Sequence, residues 1–148
     1  MKIAIDFDGT IVENAYPHIG RPMSKAFETI HALQQKGHDI VLWTYRDGVQ
    51  LQEAINFCAS KGITFFSINH SRPDEHIEYP HYFDKISRKI DADIFIDDRN
   101  VGGFLGWAKV WELLHPESGD LDLGFVDEKA HFNKNKENKS IFAKIFGK

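Results

Sequence analysis

The chain has 148 residues, of which 42% are hydrophobic and 27% are charged, and its net charge is −4. This length predicts a single domain, and the composition is ordinary for a soluble globular protein. No apolar run approaches the roughly 20 residues of a membrane span, and the single cysteine excludes an internal disulfide or a cysteine-rich zinc site. Because no secretory leader precedes the first predicted strand, we expect a cytoplasmic protein.

The charge is unevenly distributed along the chain. Residues 129–148 contain six lysines and one glutamate, so they carry about +5 and residues 1–128 carry about −9. We therefore predict a folded domain over 1–128 and a basic C-terminal tail over 129–148. Four apolar residues of the tail have the spacing of a short amphipathic helix: Ile141, Phe142, Ile145 and Phe146. Their small area favours docking on the domain or on a second subunit, so a homo-oligomer is one expected assembly.

Strands and helices alternate along most of the chain. In order, the pattern predicts a strand ending at Ile5, a loop over 11–23, a helix capped by Ser24 and ended by Gly37, a strand over 39–43, a helix from Gly48 to Gly62, and strands over 63–68 and 92–96. Residues 109–114 form either a short fifth strand or a helix. This alternation is typical of a parallel sheet with helices on both faces.

The first strand ends in two aspartates. The sequence over residues 2–10 is KIAIDFDGT, and its apolar run stops at Asp6. Asp6 and Asp8 are two residues apart, so in an extended chain their carboxylates point to the same side and repel. A divalent cation with oxygen ligands would compensate such a pair; the alternative is an ordinary solvated turn. Gly9 permits the turn, and the Thr10 hydroxyl can hydrogen-bond back to it.

Two further strand ends carry polar residues. Thr44 and Arg46 follow the second strand. Lys85 and Lys89 precede the fourth strand, and Asp97 and Asp98 follow it. Because the carboxyl ends of parallel strands share one edge of the sheet, we expect these groups to converge with the first aspartates. Three or four carboxylates suit Mg²⁺, and a hydroxyl and a lysine beside them suit an anion, so the set predicts a metal-bound phosphate. No GxxxxGK[ST] or GxGxxG loop occurs.

The remaining candidates have competing interpretations. Arg46 would suit a second phosphate or carboxylate of a substrate, or else a surface salt bridge. Further substrate contacts are predicted at Asn69, Arg72 and Asn100. The histidines at 70, 76 and 81 fit no zinc spacing, so we interpret them as surface or substrate-facing groups. Three other residues are predicted to lie in the core: Cys58, Trp107 and Trp111.

The chain resembles the haloacid dehalogenase-like hydrolase superfamily over roughly residues 2–111. DFDGT at 6–10 is similar to the first motif, the strand ending in Thr44 to the second, and IDD at 96–98 with a preceding lysine to the third and fourth. The resemblance implies a Rossmann-like three-layer α/β/α sandwich with a parallel sheet of order 5-4-1-2-3. The short spacing from Asp8 to Thr44 and the short loop over 69–83 leave no room for a cap domain.

The resemblance also implies a metal and a nucleophile. Asp6 would attack phosphorus and bind Mg²⁺. Asp8 would be the general acid/base, and its backbone carbonyl would also bind the ion. Asp97, with Asp98 nearby, would complete the metal shell. The acid two residues after the nucleophile separates the phosphatases and phosphomutases from the dehalogenases, which lack it.

The same resemblance implies how phosphate would be held. Thr44 and Lys89, or alternatively Lys85, would grip the transferring phosphoryl group. The predicted substrate-binding residues are Gly9, Thr10, Arg46 and Asn69.

The sequence thus predicts a Mg²⁺-dependent phosphomonoester hydrolase that works through an aspartyl-phosphate. Its substrate would be a phosphorylated small molecule, a polynucleotide or another macromolecular phosphate ester. One alternative is a non-catalytic or very weakly active phosphate-binding or interaction module on the same fold. Another is a response-regulator receiver domain, which is disfavoured because here the lysine precedes the second acid pair.

Overall fold

The computed structural model describes residues 1–73 and 87–118. Within these residues the strands are β1 (Lys2–Ile5), β2 (Asp39–Leu42), β3 (Ser67–Ile68) and β4 (Ile94–Ile96). The α-helices are α1 (Ala26–Gln35), α2 (Gly48–Ser60) and α3 (Trp107–Leu114), and a short 3₁₀ turn follows at Pro116–Ser118. The order of these elements confirms the predicted alternation of strands and helices.

The sheet is parallel throughout, with strand order β3-β2-β1-β4. Parallel strands joined by helical connections define an α/β architecture, as predicted and as in Rossmann-like folds. Residues 109–114, for which the sequence allowed a strand or a helix, lie in α3. In the part of the chain that is described, no fifth strand joins the β4 edge, so the five-strand order stays a prediction.

The two faces of β1 pack against different parts of the chain. Ile3 and Ile5 belong to a large apolar cluster that also contains buried residues of all three helices. Ala4 belongs to a smaller cluster, together with Val41 and Ile90. Burial on both faces accounts for the unbroken apolar run of β1. The described helices share the first cluster, and the predicted layer of helices on the second face stays a prediction.

Three predicted core residues are confirmed. Cys58, Trp107 and Trp111 are all buried in the large cluster. Burial raises the pKa of the Cys58 thiol to about 12. A thiol in this environment stays protonated at neutral pH and is a poor nucleophile, which agrees with a purely structural role.

The predicted cap of α1 is wrong. The residue before the first helical residue is Lys25 rather than Ser24; its φ is 63°, and no side chain caps the helix there. The Ala26 N–H donates instead to the Met23 carbonyl at 3.0 Å. A backbone turn thus satisfies the first amide of α1 in place of a serine hydroxyl.

The third strand is shorter than predicted. Of residues 63–68, only Ser67 and Ile68 form a strand, although the Phe66 N–H also donates to the Ile40 carbonyl of β2 at 2.7 Å. The Ile63 N–H donates to the Cys58 carbonyl at 3.0 Å, which ties Ile63 to the end of α2. Its side chain is buried, so the apolar pattern of this segment partly reflects core packing rather than strand pairing.

Some predictions lie outside the described residues. They concern Lys85, His76, His81 and the basic tail over 129–148, including its amphipathic helix.

The helices that are described contain 10, 13 and 8 residues. In that part of the chain, none combines the length and the apolar character that crossing a bilayer requires.

Trp107 joins α3 to the turn that follows β1. Its side chain is 1% exposed, and its Nε1 donates to the Thr10 carbonyl at 2.9 Å. Trp107→Phe removes the donor from a buried carbonyl and reduces the ring volume, so we expect the free energy of unfolding to fall by about 2–3 kcal/mol. Denaturant unfolding of the two proteins measures this difference.

Leu113→Ala is the matched control, because Leu113 is an exposed residue of the same helix. We expect it to change the free energy of unfolding by no more than about 0.5 kcal/mol. A similar small effect for Trp107→Phe would contradict the structural role of the indole hydrogen bond.

Candidate active site

The register of the sheet brings three strand ends to one edge. Ile5 of β1 is paired with Leu42 of β2 and with Ile96 of β4. The Asp6 N–H donates to the Ile96 carbonyl at 2.9 Å, and the Trp43 N–H donates to the Ile5 carbonyl at 2.8 Å. The residues that follow the three strands therefore begin side by side at the carboxyl edge, where ligands bind in open α/β sheets.

Three carboxylates converge at this edge. One oxygen each of Asp6, Asp97 and Asp98 lies within 4.8 Å of the other two. Burial raises the pKa of Asp6 to about 7, with further upward contributions from the charges of Asp97 and Asp98. Hydrogen bonds from the Phe7 backbone and the Thr10 hydroxyl oppose the rise. Asp6 is therefore held in a position where its own negative charge is disfavoured.

The turn after β1 shapes this carboxylate cluster. Gly9 has a φ of 89°, and a side chain there would collide with the Asp98 carboxylate. The Thr10 hydroxyl donates to Asp6 Oδ2 at 3.2 Å, and Thr10 is fully buried. Gly9 therefore allows the close approach of Asp98, and Thr10 orients Asp6. Because Thr10 is enclosed and does not line the cavity described below, its hydroxyl lies behind Asp6.

Asp8 is held apart from the cluster by an arginine. Arg46 Nε donates to Asp8 Oδ2 and Arg46 Nη2 to Asp8 Oδ1, both at 2.7 Å. The same guanidinium donates to the carbonyls of Pro17 at 3.0 Å and His18 at 2.7 Å. Arg46 is 1% exposed, and its hydrogen bonds to Asp8 raise its own pKa. This is a charge-assisted bidentate pair of the strong type.

Arg46 therefore occupies a different place from the one expected of a residue that binds a second substrate phosphate. The guanidinium lies between two rings, with its carbon 4.9 Å from the centre of Phe7 and 5.4 Å from that of Tyr16. Its N–H groups donate to acceptors of the protein itself, namely the Asp8 carboxylate and the carbonyls of Pro17 and His18. The sequence suggested a salt bridge as the alternative, and the structure has a buried one.

Thr44 is fixed by Asn69 and retains a free hydroxyl proton. The Thr44 N–H donates to Asn69 Oδ1 at 2.8 Å, and Asn69 Nδ2 donates to the Thr44 carbonyl at 3.0 Å. The Arg46 N–H donates to Thr44 Oγ1 at 3.2 Å. With its oxygen accepting from the backbone, the Thr44 O–H can donate to an incoming anion. Asn69, predicted as a substrate contact, thus lies where it positions Thr44.

A cavity of about 520 Å³ opens at this edge of the sheet. The predicted site residues that line it are Asp6, Asp8, Thr44, Arg46 and Asp97. Lys89 is exposed and is not among the residues that line it. The cavity is also lined by five residues that sequence reasoning missed: Asn14, Tyr16, Trp43, Tyr45 and Arg99. Trp43, Tyr45 and Arg99 could have been indicated by their proximity to strand ends. Asn14 and Tyr16 belong to the loop over 11–23 and carried no such signal.

The carboxylate cluster suits a hard cation. Its donors are carboxylate oxygens, which Mg²⁺ and Ca²⁺ prefer. Among the described ion pairs, no lysine or arginine neutralises Asp6, Asp97 or Asp98. A bound cation would supply that compensation and would keep Asp6 ionised at neutral pH.

The fold and the cavity define an α/β protein with a parallel sheet and an acidic site at its carboxyl edge. No protein-family model matches the chain, and no curated protein matches it. Among solved structures, the chain is similar to a conserved protein from Bacteroides thetaiotaomicron, with 46% sequence identity and a TM-score of 0.71. The similarity covers 78% of this chain and 90% of that one. The chain therefore belongs to the family of that conserved protein.

The buried Asp8–Arg46 pair should dominate the stability of the site. Arg46→Met leaves the Asp8 carboxylate and two carbonyls without their donor, so we expect a loss of about 3–5 kcal/mol in the free energy of unfolding. Arg46→Lys should also destabilise, because an ammonium cannot reproduce the bidentate geometry. Denaturant unfolding at neutral pH measures both.

Arg21→Met is the matched control for this experiment. Arg21 also donates two hydrogen bonds to one carboxylate, that of Glu13, both at 2.9 Å. Its side chain is 85% exposed. Because exposed pairs contribute little, we expect a loss much smaller than that of Arg46→Met. Equal losses in Arg21→Met and Arg46→Met would contradict the importance of burial.

The raised pKa of Asp6 makes the metal-free protein sensitive to pH. Folding costs free energy whenever Asp6 is ionised; this cost is absent below pH 3.8, grows as the pH rises and is complete above about pH 7. Asp6→Asn should therefore stabilise the protein at pH 8 in the presence of EDTA, by about 1–3 kcal/mol after allowance for solvent screening. The gain should disappear near pH 4.

Unfolding curves of both proteins between pH 4 and pH 8 provide the measurement. Glu53→Gln, at an exposed position of α2, is the control and should show no such trend. A stabilisation by Asp6→Asn that is the same at both ends of this pH range would mean that charge at Asp6 is not its cause.

Proposed function

We propose that the chain is a capless member of the haloacid dehalogenase-like hydrolase superfamily that hydrolyses phosphate monoesters. The observation that carries this proposal is the convergence of Asp6, Asp97 and Asp98, with one oxygen of each within 4.8 Å of the others. They lie at the carboxyl ends of β1 and β4, and Asp6 and Asp97 line one cavity together with Thr44. The DFDGT motif over 6–10 supplies the nucleophile and the acid two residues later.

Mg²⁺ is the proposed cofactor. The side chains of Asp6, Asp97 and Asp98 would hold it, together with the backbone carbonyl of Asp8. When bound, the ion would neutralise charge on the phosphoryl oxygens. Among the described residues this cluster has only oxygen donors and neither a sulfur nor a histidine donor, which favours a hard cation over zinc.

The proposed reaction has two displacements at phosphorus. In the first, an Asp6 oxygen attacks, the bond from phosphorus to the ester oxygen breaks, and the leaving alkoxide takes a proton from Asp8. In the second, water attacks the aspartyl-phosphate, Asp8 accepts a proton from that water, and the bond from phosphorus to the Asp6 oxygen breaks. Inorganic phosphate is released and Asp6 is regenerated.

The Asp8–Arg46 pair favours one of these roles over the other. Both Asp8 oxygens accept hydrogen bonds from Arg46, so in this arrangement Asp8 is a proton acceptor. That suits activation of water in the second displacement. Donation of a proton to the leaving alcohol requires at least one Asp8 oxygen to leave the guanidinium and to take up a proton from solvent. We propose that both happen when substrate binds, before the first displacement.

The phosphoryl group would be bound by Thr44 and by a lysine. Thr44 lines the cavity, and its O–H is free to donate. The lysine would be Lys89 or Lys85, as the superfamily pattern implies. Lys89 is exposed, so its ammonium would have to reach the phosphate when the ester binds.

The proposal includes the finer architecture of the superfamily. We propose a fifth strand beside β4, giving the order 5-4-1-2-3, and no cap domain. Relatives without a cap act on large substrates or are covered by a neighbouring subunit, so a polynucleotide end, another macromolecular phosphate ester or a homo-oligomer fits the same proposal. A location in the cytoplasm accords with substrates of this class.

A non-catalytic phosphate-binding module is the second candidate. It is favoured by the same Asp8–Arg46 pair, because a permanently paired Asp8 could not protonate a leaving group. Such a module would bind inorganic phosphate in a Mg²⁺-dependent manner, which calorimetry would detect, without releasing phosphate from any ester.

The decisive experiment is a screen of phosphate monoesters with the full chain and Mg²⁺, comparing the wild type with Asp6→Asn. We expect phosphate release that requires the divalent cation and that falls at least about 1,000-fold in Asp6→Asn, because the nucleophile is lost. Full activity of the variant would exclude the covalent mechanism, and binding without turnover would favour the second candidate.

Asp91→Asn serves as the control in this screen. Asp91 has a side chain that is 91% exposed and contacts Lys2 at the start of β1, at the opposite end from the carboxylate cluster. The variant removes one carboxylate from the surface and should retain wild-type activity. A comparable loss in Asp91→Asn would mean that the assay responds to net charge rather than to Asp6.

A further inference from the structure

The cavity beside the carboxylate cluster has an aromatic rim. Three aromatic side chains line it: Tyr16, Trp43 and Tyr45. Tyr45 is 91% exposed and Tyr16 is 54% exposed. Isolated exposed aromatic residues need no explanation, but three around one concave site leave apolar area in water that a ligand can cover.

Two of the three rings are held in place by contacts with other side chains of the protein. Trp43 packs edge to face on Phe95, with ring centroids 6.4 Å apart. Tyr16 lies against the Arg46 guanidinium, at 5.4 Å from its central carbon. Among the described ring contacts, none joins two members of the rim. The rim is therefore a set of separate rings around an open space rather than a self-filled aromatic cluster.

Arg99 adds a cation to the same cavity. Its side chain is exposed, and no acidic side chain pairs with it among the described ion pairs. A guanidinium plane can stack on a flat ring or bind a phosphate oxygen. In contrast to Arg46, whose donors are taken by the protein, Arg99 is available to a ligand.

The dimensions favour a small molecule. A volume of about 520 Å³ lies within the range of sites for small molecules and cofactors. The phosphate position is set by Asp6, Asp97 and Thr44, so the aromatic rim faces whatever alcohol the phosphate is attached to. Flat unsaturated rings stack on aromatic side chains, whereas a glycerol or other open-chain alcohol offers no such face.

We infer that the aromatic rim of Tyr16, Trp43 and Tyr45, with Arg99, selects phosphate monoesters whose alcohol carries a flat unsaturated ring. Nucleoside monophosphates and aryl phosphates share this chemistry. The inference rests on the proposed function for the position of the phosphate, and it adds the class of leaving group. Tyr45 is the residue whose ring contributes most free surface.

The test compares five esters on the full chain with Mg²⁺: adenosine 5′-monophosphate, uridine 5′-monophosphate, phenyl phosphate, glycerol 3-phosphate and glucose 6-phosphate. We expect kcat/KM to be at least about tenfold higher for the ring-bearing esters, which is the scale of one stacked ring. Phenyl phosphate separates the two sources in its dissociation constant from Asp6→Asn, where the better leaving group of an aryl ester has no effect: if it binds as tightly as the nucleotides, the ring alone is recognised, and if it binds more weakly, a nucleoside is required.

Tyr45→Ala should raise KM for adenosine 5′-monophosphate by about tenfold while leaving kcat/KM for glycerol 3-phosphate within about twofold. Tyr45→Phe keeps the ring and should restore the wild-type KM. Val49→Ala is the control, because Val49 is an exposed residue of α2 that does not line the cavity. An equal loss for both esters in Tyr45→Ala, or no preference in the wild type, would overturn the inference.

A binding measurement separates this inference from the hydrolase proposal. Asp6→Asn is titrated calorimetrically with adenosine 5′-monophosphate and glycerol 3-phosphate in the presence of Mg²⁺. Tighter binding of the nucleotide that is lost when Tyr45→Ala is added supports ring recognition even if no ester is turned over. Turnover of all esters without ring preference would leave the hydrolase proposal intact and refute the aromatic rim as a specificity element.

Discussion

The register of β1 between β2 and β4 is the constraint on which the rest of the site depends. Ile5 is level with Leu42 and Ile96, so the residues beyond the three strands start at one edge. A shift of β1 by one residue would exchange its two faces, move Ile5 from the large cluster to the smaller one that holds Ala4, and turn Asp6 away. Burial of the apolar run therefore fixes the carboxylates, and the core and the site are two results of one strand pairing.

This pairing concentrates negative charge that residues 1–73 and 87–118 neutralise only in part. Arg46 compensates Asp8, whereas Asp6, Asp97 and Asp98 have no described basic partner. The fold tolerates the cluster because Asp6 can retain a proton near neutral pH and because Thr10 and the Phe7 backbone donate to it. A cation would replace that proton. The same local arrangement thus carries a stability cost without a cation and would favour the binding of the proposed one.

Short-range rules were enough to predict the acidic edge of the sheet, whereas the partners of Arg46 depend on long-range contacts. Strand ends and parallel topology bring Asp6 and Asp97 together, since every parallel strand delivers its next residue to the same edge. The partner of Arg46 was not predictable, because it lies 38 residues away and its loop acceptors, the carbonyls of Pro17 and His18, belong to irregular backbone. The aromatic rim was missed for a similar reason, since Tyr45 belongs to no periodic pattern.

The burial of Arg46 also bears on which of the two arginines at the cavity is free to bind a substrate. Arg46 joins the end of β1, the end of β2 and the loop containing Pro17 in one network, so any ligand that took its donors would release Asp8 and two carbonyls together. That cost makes Arg46 a poor anion receptor. Arg99, exposed at the same cavity, carries no such penalty. The sequence left Arg46 open between a substrate contact and a salt bridge; its contacts favour the salt bridge and leave Arg99 as the cation for the proposed ligand.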